Sequence, residues 1–314
     1  MNSDKIKVLY IGGAGRSGST LLDLILGEIP GFFSVGELRS IWDRSIEENQ
    51  LCGCNHPFRE CAFWPQVIQR AYGGVEQVDT ARMQALHDRV ARFRHIPLLV
   101  GGRGSPDFRK DLAEYTAALE KLYRAIHEVS GGQIIIDSSK NPSYGFVLKT
   151  IPNIDLHVIH LVRDVRAVAY SWQRQRVRPE VHWKQEYMPR FKVTHSVREW
   201  YRCNVGMMMF KAARTRYMFM KYEELVRQPQ AAVDNIMRHM GFPEPPPAFL
   251  ADRCLTLTTS HTVAGNPLRF QRESLTIQAD NEWQQKMDRR QQRWVMALAW
   301  PMLLGYGYWG HPEN

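Results

Sequence analysis

Tyr10-Ile-Gly-Gly-Ala-Gly-Arg-Ser-Gly-Ser-Thr-Leu-Leu22 is the stretch on which the fold turns. An apolar run at 7–11 leads into it, and a helical pattern at 20–26 leaves it. Glycines let a backbone curl until successive N–H groups point inward. The N-terminus of the following helix adds roughly half a positive charge. Strand, glycine turn and helix together predict an anion-binding loop, against the plainer reading of a glycine turn into a helix. The cradle would be Arg16, Ser17, Gly18, Ser19, Thr20 and Leu21.

Further along the chain, 133–136, 157–162 and 217–220 are apolar runs as unbroken as 7–11. Strands of that kind suit a parallel sheet covered on both faces. Helical patterns occupy 111–129, 165–175, 197–213 and 231–240. The alternation predicts an α/β fold, a P-loop-like doubly wound parallel sheet flanked by helices. Segments of weak periodicity, about 40–130 in its first part and 176–196, are expected as insertions over the active site. No repeat or low-complexity tract breaks the chain, and the Pro-rich 243–247 is a short turn. The 314 residues allow one or two domains; a single domain, 1–314, is expected.

A hydrophobic fraction of 44% and a charged fraction of 23% exclude disorder, collagen and a pure coiled coil. The formal charge of +9 calls for an anionic partner: nucleic acid, membrane surface or small polyanion. Ten Lys or Arg stand against four acids between 163 and 202, as a solvated basic face or an anion site. The polar start lacks the marks of a signal peptide. The apolar stretch 294–309 is broken by Pro301, Gly305 and Gly307 and is expected as a buried terminal helix, not a membrane span. A cytoplasmic chain follows as the expectation. Three of five cysteines cluster as Cys52, Cys54 and Cys61, with His56 between. The spacing lacks paired C-x2-C halves and a distant second half, so a packed loop is expected, with no metal and no disulfide.

The loop also fits part of the Walker pattern: Gly13, Gly18 and Thr20 match G-x4-G-K-[ST], but Ser19 stands where the lysine belongs. That weakens a kinase or NTPase reading, and a cation appears inside the loop instead, at Arg16. A second strand-to-helix block, His160-Leu-Val-Arg-Asp-Val-Arg-Ala-Val-Ala-Tyr-Ser-Trp172, offers an arginine fork and a hydroxyl, Arg163 and Ser171, able to bracket one phosphate. Alternatively Arg163 pairs with a neighbouring acid.

Arg16-Ser-Gly-Ser-Thr20 resembles the 5′-phosphosulfate loop of sulfotransferases that use PAPS (3′-phosphoadenosine 5′-phosphosulfate), in particular the carbohydrate and tyrosylprotein branches. The 160–172 block is similar to that family's 3′-phosphate motif, with Val165 where proline is frequent. The resemblance implies that Arg163 and Ser171 hold the ribose 3′-phosphate. Lys221-Tyr-Glu-Glu-Leu225 resembles the Y-E-x-L segment and implies Tyr222 near the nucleotide. Ser260-His-Thr-Val-Ala-Gly-Asn-Pro-Leu-Arg269 resembles the late loop over the donor in bacterial members, implying contacts from Ser260, Asn266 and Arg269. The donor would be PAPS and the product PAP.

Sulfuryl transfer needs a base, charge stabilisation at the leaving phosphate and in-line geometry. It requires no metal in principle, because a sulfuryl group carries less charge than a phosphoryl group. Glu37 in Val35-Gly-Glu-Leu-Arg39 matches the tyrosylprotein branch's general base, with Arg39 as companion. His261 is the second candidate base. Lys140, closing Asp137-Ser-Ser-Lys140, matches that branch's lysine and would join Arg16 in stabilising the leaving oxygen. Trp42, Trp64, Trp172, Trp183 and Trp200 would either stack on an acceptor or fill the core. A hydroxyl acceptor, carbohydrate or small alcohol, is expected. A P-loop kinase or NTPase and a non-catalytic binder of nucleic acid or polyanions are the alternatives.

Overall fold

The computed structural model describes residues 5–242 and 253–309, and the Pro-rich turn at 243–247 lies outside them. Strand β1 (Ile6–Gly12) feeds helix α1 (Ser19–Gly27) and strand β2 (Phe32–Gly36). Helices α2 (Trp64–Tyr72), α3 (Thr80–Val90), α4 (Ile96–Gly101) and α5 (Pro106–Ser130) precede β3 (Ile134–Lys140) and α6 (Pro142–Lys149). Then come β4 (Ile154–Val162), α7 (Val165–Gln173), α8 (Val193–Ala212), β5 (Arg216–Lys221), α9 (Tyr222–Arg227) and α10 (Pro229–Met240). A hairpin of β6 (Cys254–Leu257) and β7 (Glu273–Thr276) leads to α11 (Glu282–Lys286) and α12 (Arg289–Gly305).

The main sheet runs β2-β3-β1-β4-β5, and every pairing in it is parallel. Successive side chains of a strand point to opposite faces. Val8 and Tyr10 of β1 therefore enter one core, with α5, α6 and α8 around them, while Leu9 and Ile11 enter another, against α1 and α10. Both faces of the central strands β1, β3 and β4 are buried, which is why their sequences do not alternate. The expected doubly wound α/β sheet is the observed one. The chain leaves β3 on one side of β1 and enters β4 on the other, so the strand ends open a crevice at the middle of the sheet.

The residues before Glu37 form the edge strand β2, which the apolar runs did not single out, paired in parallel with β3. Two expectations need correction. Segment 40–130 also feeds the core of the sheet: Trp42, Phe58, Trp64, Leu86 and Tyr115 are buried together with β1 and α6. Its periodicity was hidden because residues Ile41–Glu47 form a π-type turn and short 3-10 turns separate α2 to α4. The terminal helix is only half-buried. Val295, Ala299 and Leu303, spaced by four, form its inner stripe, while Trp294, Trp300 and Leu304 are exposed. Among the described residues no helix is long and apolar enough to cross a membrane.

Candidate active site

All five strands of the sheet end at one cavity of about 990 Å³. After β1, the Gly13–Thr20 turn wraps its floor. Gly13 lies at φ 146°, and a Cβ there would sit 2.2 Å from the Leu161 carbonyl oxygen. Gly18, at φ 90°, caps α1, and a Cβ there would sit 2.3 Å from the Tyr222 ring. Neither position tolerates a side chain, so the loop can lie this close to β4 and Tyr222 only with glycine.

The other strand ends bring the charged groups. Glu37 follows β2, and its N–H donates to the Val263 carbonyl at 2.8 Å. Lys140 ends β3, and its ammonium donates to Glu37 Oε1 in a short, largely buried ion pair. Burial alone would push the Glu37 carboxyl up. The Lys140 charge and hydrogen bond, with Arg39 and Arg44 behind them, outweigh it and hold the carboxyl below its ordinary value. Arg163 follows β4. Its guanidinium lies over the Tyr222 ring, 4.4 Å from its centre, and donates to the Arg16 and Asp280 carbonyls at 3.3 and 2.7 Å. Asp280 also ion-pairs it at 3.3 Å, whereas Asp164 is engaged by Arg166. Asp164 and Asn141 cap α7 and α6, which fixes the sharp turns out of β4 and β3.

Arg16 stacks on Trp172, 4.6 Å from the ring centre, and Trp172 directly follows the buried Ser171 near the end of α7. Burial, then the charge of Arg176, lower the Arg16 guanidinium to about 10. Arg16 and Lys140 both have left-handed backbones, at φ 70° and 66°. Non-glycine residues seldom adopt this conformation, and it clusters where function requires it.

Gly18, Ser19, Thr20, Leu21, Arg39, Ser171, Trp172, Tyr222 and Asn266 line the same cavity as Arg16, Glu37, Lys140 and Arg163. Ser17 is buried behind the loop. Three expected contacts lie elsewhere. His261 turns its Nδ1 to Cys61 Sγ at 3.2 Å and stacks on Phe63, so it does not face the cavity as a base. Arg269 is 3% exposed and is spent on the Thr262 and Leu51 carbonyls at 2.6 and 2.8 Å. Ser260 lines a separate small cleft with Arg269. Of the five tryptophans, only Trp172 reaches the cavity; Trp42, Trp64 and Trp200 are core, and Trp183 is exposed elsewhere.

Residues the motifs did not single out also line it: Arg44, Arg176, Arg178, Met188, and Gln278 to Glu282 beyond the hairpin. Arg176 and Arg178 lay within the basic stretch and were legible as charge; Arg44 was hidden in the segment without clear period. Each carboxylate lining the cavity is already ion-paired: Glu37 with Lys140, Asp280 with Arg163, Glu282 with Arg174. Among the described residues none of these carboxylates stands unpaired beside the loop in the position of a kinase's magnesium ligand.

A parallel sheet with a glycine loop after β1 and cations gathered in a cavity at the neighbouring strand ends defines an α/β protein. The family model described as "Sulfotransferase family" matches residues 9–246, and the chain belongs to that family: it is a sulfotransferase enzyme. The sulfotransferase domain of the Synechococcus PCC 7002 olefin synthase shares the fold, with a TM-score of 0.51 and 19% identity over 96% of each chain. The sulfotransferase domain from the curacin biosynthetic pathway aligns with a TM-score of 0.48 and 16% identity, over 94% of this chain and 98% of that one. Sulfotransferase STF9 from Mycobacterium avium aligns with a TM-score of 0.47 and 12% identity, over 97% and 78%. No curated protein matches the chain.

Proposed function

We propose that the enzyme moves the sulfuryl group of PAPS to a hydroxyl of a carbohydrate or small alcohol, with Glu37 as general base. The observation that carries this is the convergence of the Arg16–Thr20 loop, Arg163 with Ser171, Lys140 and Glu37 on one cavity. The residues fit a doubly phosphorylated nucleotide. The Nε atoms of Arg16, Arg39, Arg163 and Arg176 are buried there without a hydrogen bond, and buried donors are costly until an acceptor meets them.

Loop N–H groups and the start of α1 would receive the 5′-phosphosulfate, and Arg163 and Ser171 the 3′-phosphate. Tyr222, already beneath Arg163, would flank the ribose and base. As the acceptor oxygen bonds to sulfur, its proton goes to the Glu37 carboxylate. The bond from sulfur to the bridging oxygen breaks, and its electron pair stays on the 5′-phosphate. Lys140 moves from Glu37 to that oxygen, aided by Arg16. One motion of one ammonium thus unmasks the base and stabilises the leaving group. The same reading treats residues 1–314 as a single catalytic domain.

PAP should bind without magnesium and raise the unfolding temperature. Arg163→Ala should lose that shift, while Glu37→Gln should keep it and lose turnover by about 10²–10⁴-fold. Absence of any calorimetric heat or thermal shift with PAP sinks the reading. Labelled PAPS offered to sugars and to small alcohols separately identifies the acceptor class.

A further inference from the structure

Away from the cavity, Cys52, Cys54, Cys61 and His261 bring four ligand atoms within 4.8 Å of one another. Cys61 Sγ lies 3.6 Å from Cys54 Sγ, 3.6 Å from Cys52 Sγ and 3.2 Å from His261 Nδ1. Zinc bonds of about 2.3 Å to sulfur and 2.0–2.1 Å to nitrogen, arranged tetrahedrally, separate neighbouring sulfurs by about 3.8 Å and sulfur from nitrogen by about 3.5 Å. The observed edges are close to those of that tetrahedron. The cysteines come from one loop and the histidine from 200 positions further on, which supplies the distant second half that the cysteine spacing lacks. His56 lies outside this group of four, its Nδ1 meeting the Cys54 carbonyl at 3.1 Å.

The surroundings are those of a ligand set held in place. The Phe63 N–H donates to Cys61 Sγ at 3.4 Å, the Phe63 ring stacks on His261, and Trp64 Nε1 donates to the His261 carbonyl at 2.7 Å. Outer contacts of this kind orient ligands around a metal. A disulfide between any two of the cysteines would leave the third thiol buried beside the imidazole.

We propose that Cys52, Cys54, Cys61 and His261 bind one zinc ion as a closed structural site. Three thiolates and an imidazole are the soft, four-coordinate set that selects zinc, with no position left for a substrate. The ion staples the 52–61 loop to the 260–263 segment, where the Gly53 N–H already donates to the Thr262 carbonyl at 2.9 Å. Val263 in turn bonds Val35 and Glu37 through its N–H and carbonyl, at 2.9 and 2.8 Å. Zinc therefore anchors the backbone that presents Glu37, without touching the reacting groups.

The full chain, purified under reductant with zinc present and then desalted, should retain one zinc per chain by elemental analysis. Cobalt(II) in its place should show thiolate charge-transfer bands and the intense visible bands of a tetrahedral site. Cys61→Ser and His261→Ala should lose metal, and Cys254→Ser, an exposed cysteine outside the cluster, should keep it. A chelator should lower the unfolding temperature of the wild type and leave that of His261→Ala unchanged. Should Cys61→Ser fail to fold, the cobalt spectrum of the wild type still decides the ligand set. A cooperatively folding chain that retains no zinc, or a disulfide among the three cysteines in the zinc-treated protein, overturns the proposal.

Discussion

Glu37 and Lys140 neutralise one another before any ligand arrives, and their separation is the step on which the proposed chemistry depends. The pairing keeps the Glu37 carboxyl below its ordinary value, so the base stays ionised across the neutral range. Lys140→Ala removes the charge that holds it down and leaves burial to push it up. The acid limb of the kcat/KM profile should then move to higher pH, and the plateau should fall by roughly 10²–10³-fold as the leaving oxygen loses its donor. A pH profile of unchanged shape with only a lower plateau would show that Lys140 does not set the state of Glu37. Arg16, Glu37, Lys140 and Arg163 were legible because each sits immediately after a strand or in its turn, where local spacing fixes position. His261 and Arg269 were not, because a long loop leaves side-chain direction to distant partners: Cys61 for the one, the Thr262 and Leu51 carbonyls for the other.

Helix α1 and strand β2 are joined by a buried contact whose titration should make stability depend on pH. Ser34 of β2 donates to Asp23 of α1 at 2.5 Å, and burial raises the Asp23 carboxyl from 3.8 to about 7. The folded state thus keeps a proton that the unfolded chain releases. Stability should fall as pH rises from about 4 to about 7 and carry the full penalty above that. Asp23→Asn keeps an acceptor for Ser34 and removes the titration, so its unfolding midpoint should decline less across that window. Parallel midpoint curves for the two proteins would refute the assignment to Asp23. The same pair of elements shows where the sequence is opaque. β2 has only five residues, Phe32–Gly36, too few to separate strand from loop by period, and only its pairing with β3 makes it a strand. The central strands β1, β3 and β4 needed no such help, since burial on both faces writes itself as an unbroken apolar run.

Across the whole molecule the excess charge is gathered by folding more than by sequence. Of the ten basic residues between 163 and 202, only Arg163, Arg174, Arg176 and Arg178 line the cavity. The other cations there come from the loop after β1 (Arg16), the turns after β2 (Arg39 and Arg44) and the end of β3 (Lys140). Arg198 and Arg202 belong to the same basic stretch yet point to solvent, with side chains 74% and 50% exposed. A diffuse polyanion binder would use both groups alike; a site for a small polyanion would use only the first. Raising salt from about 0.1 M to about 1 M shrinks the Debye length from about 10 to about 3 Å and should weaken PAP binding. Arg176 has no carboxylate in ion-pair contact among the described residues. Arg176→Gln should therefore cost about 1.5–3 kcal/mol of PAP affinity, the span for a hydrogen bond to a charged group, and flatten the salt dependence. Arg202→Gln should leave both unchanged, because Glu199 pairs it at 2.6 Å on the outer face of α8. Equal losses in the two variants, measured by calorimetric titration, would mean that PAP responds to the net charge of the molecule and not to the groups converging at the ends of the sheet.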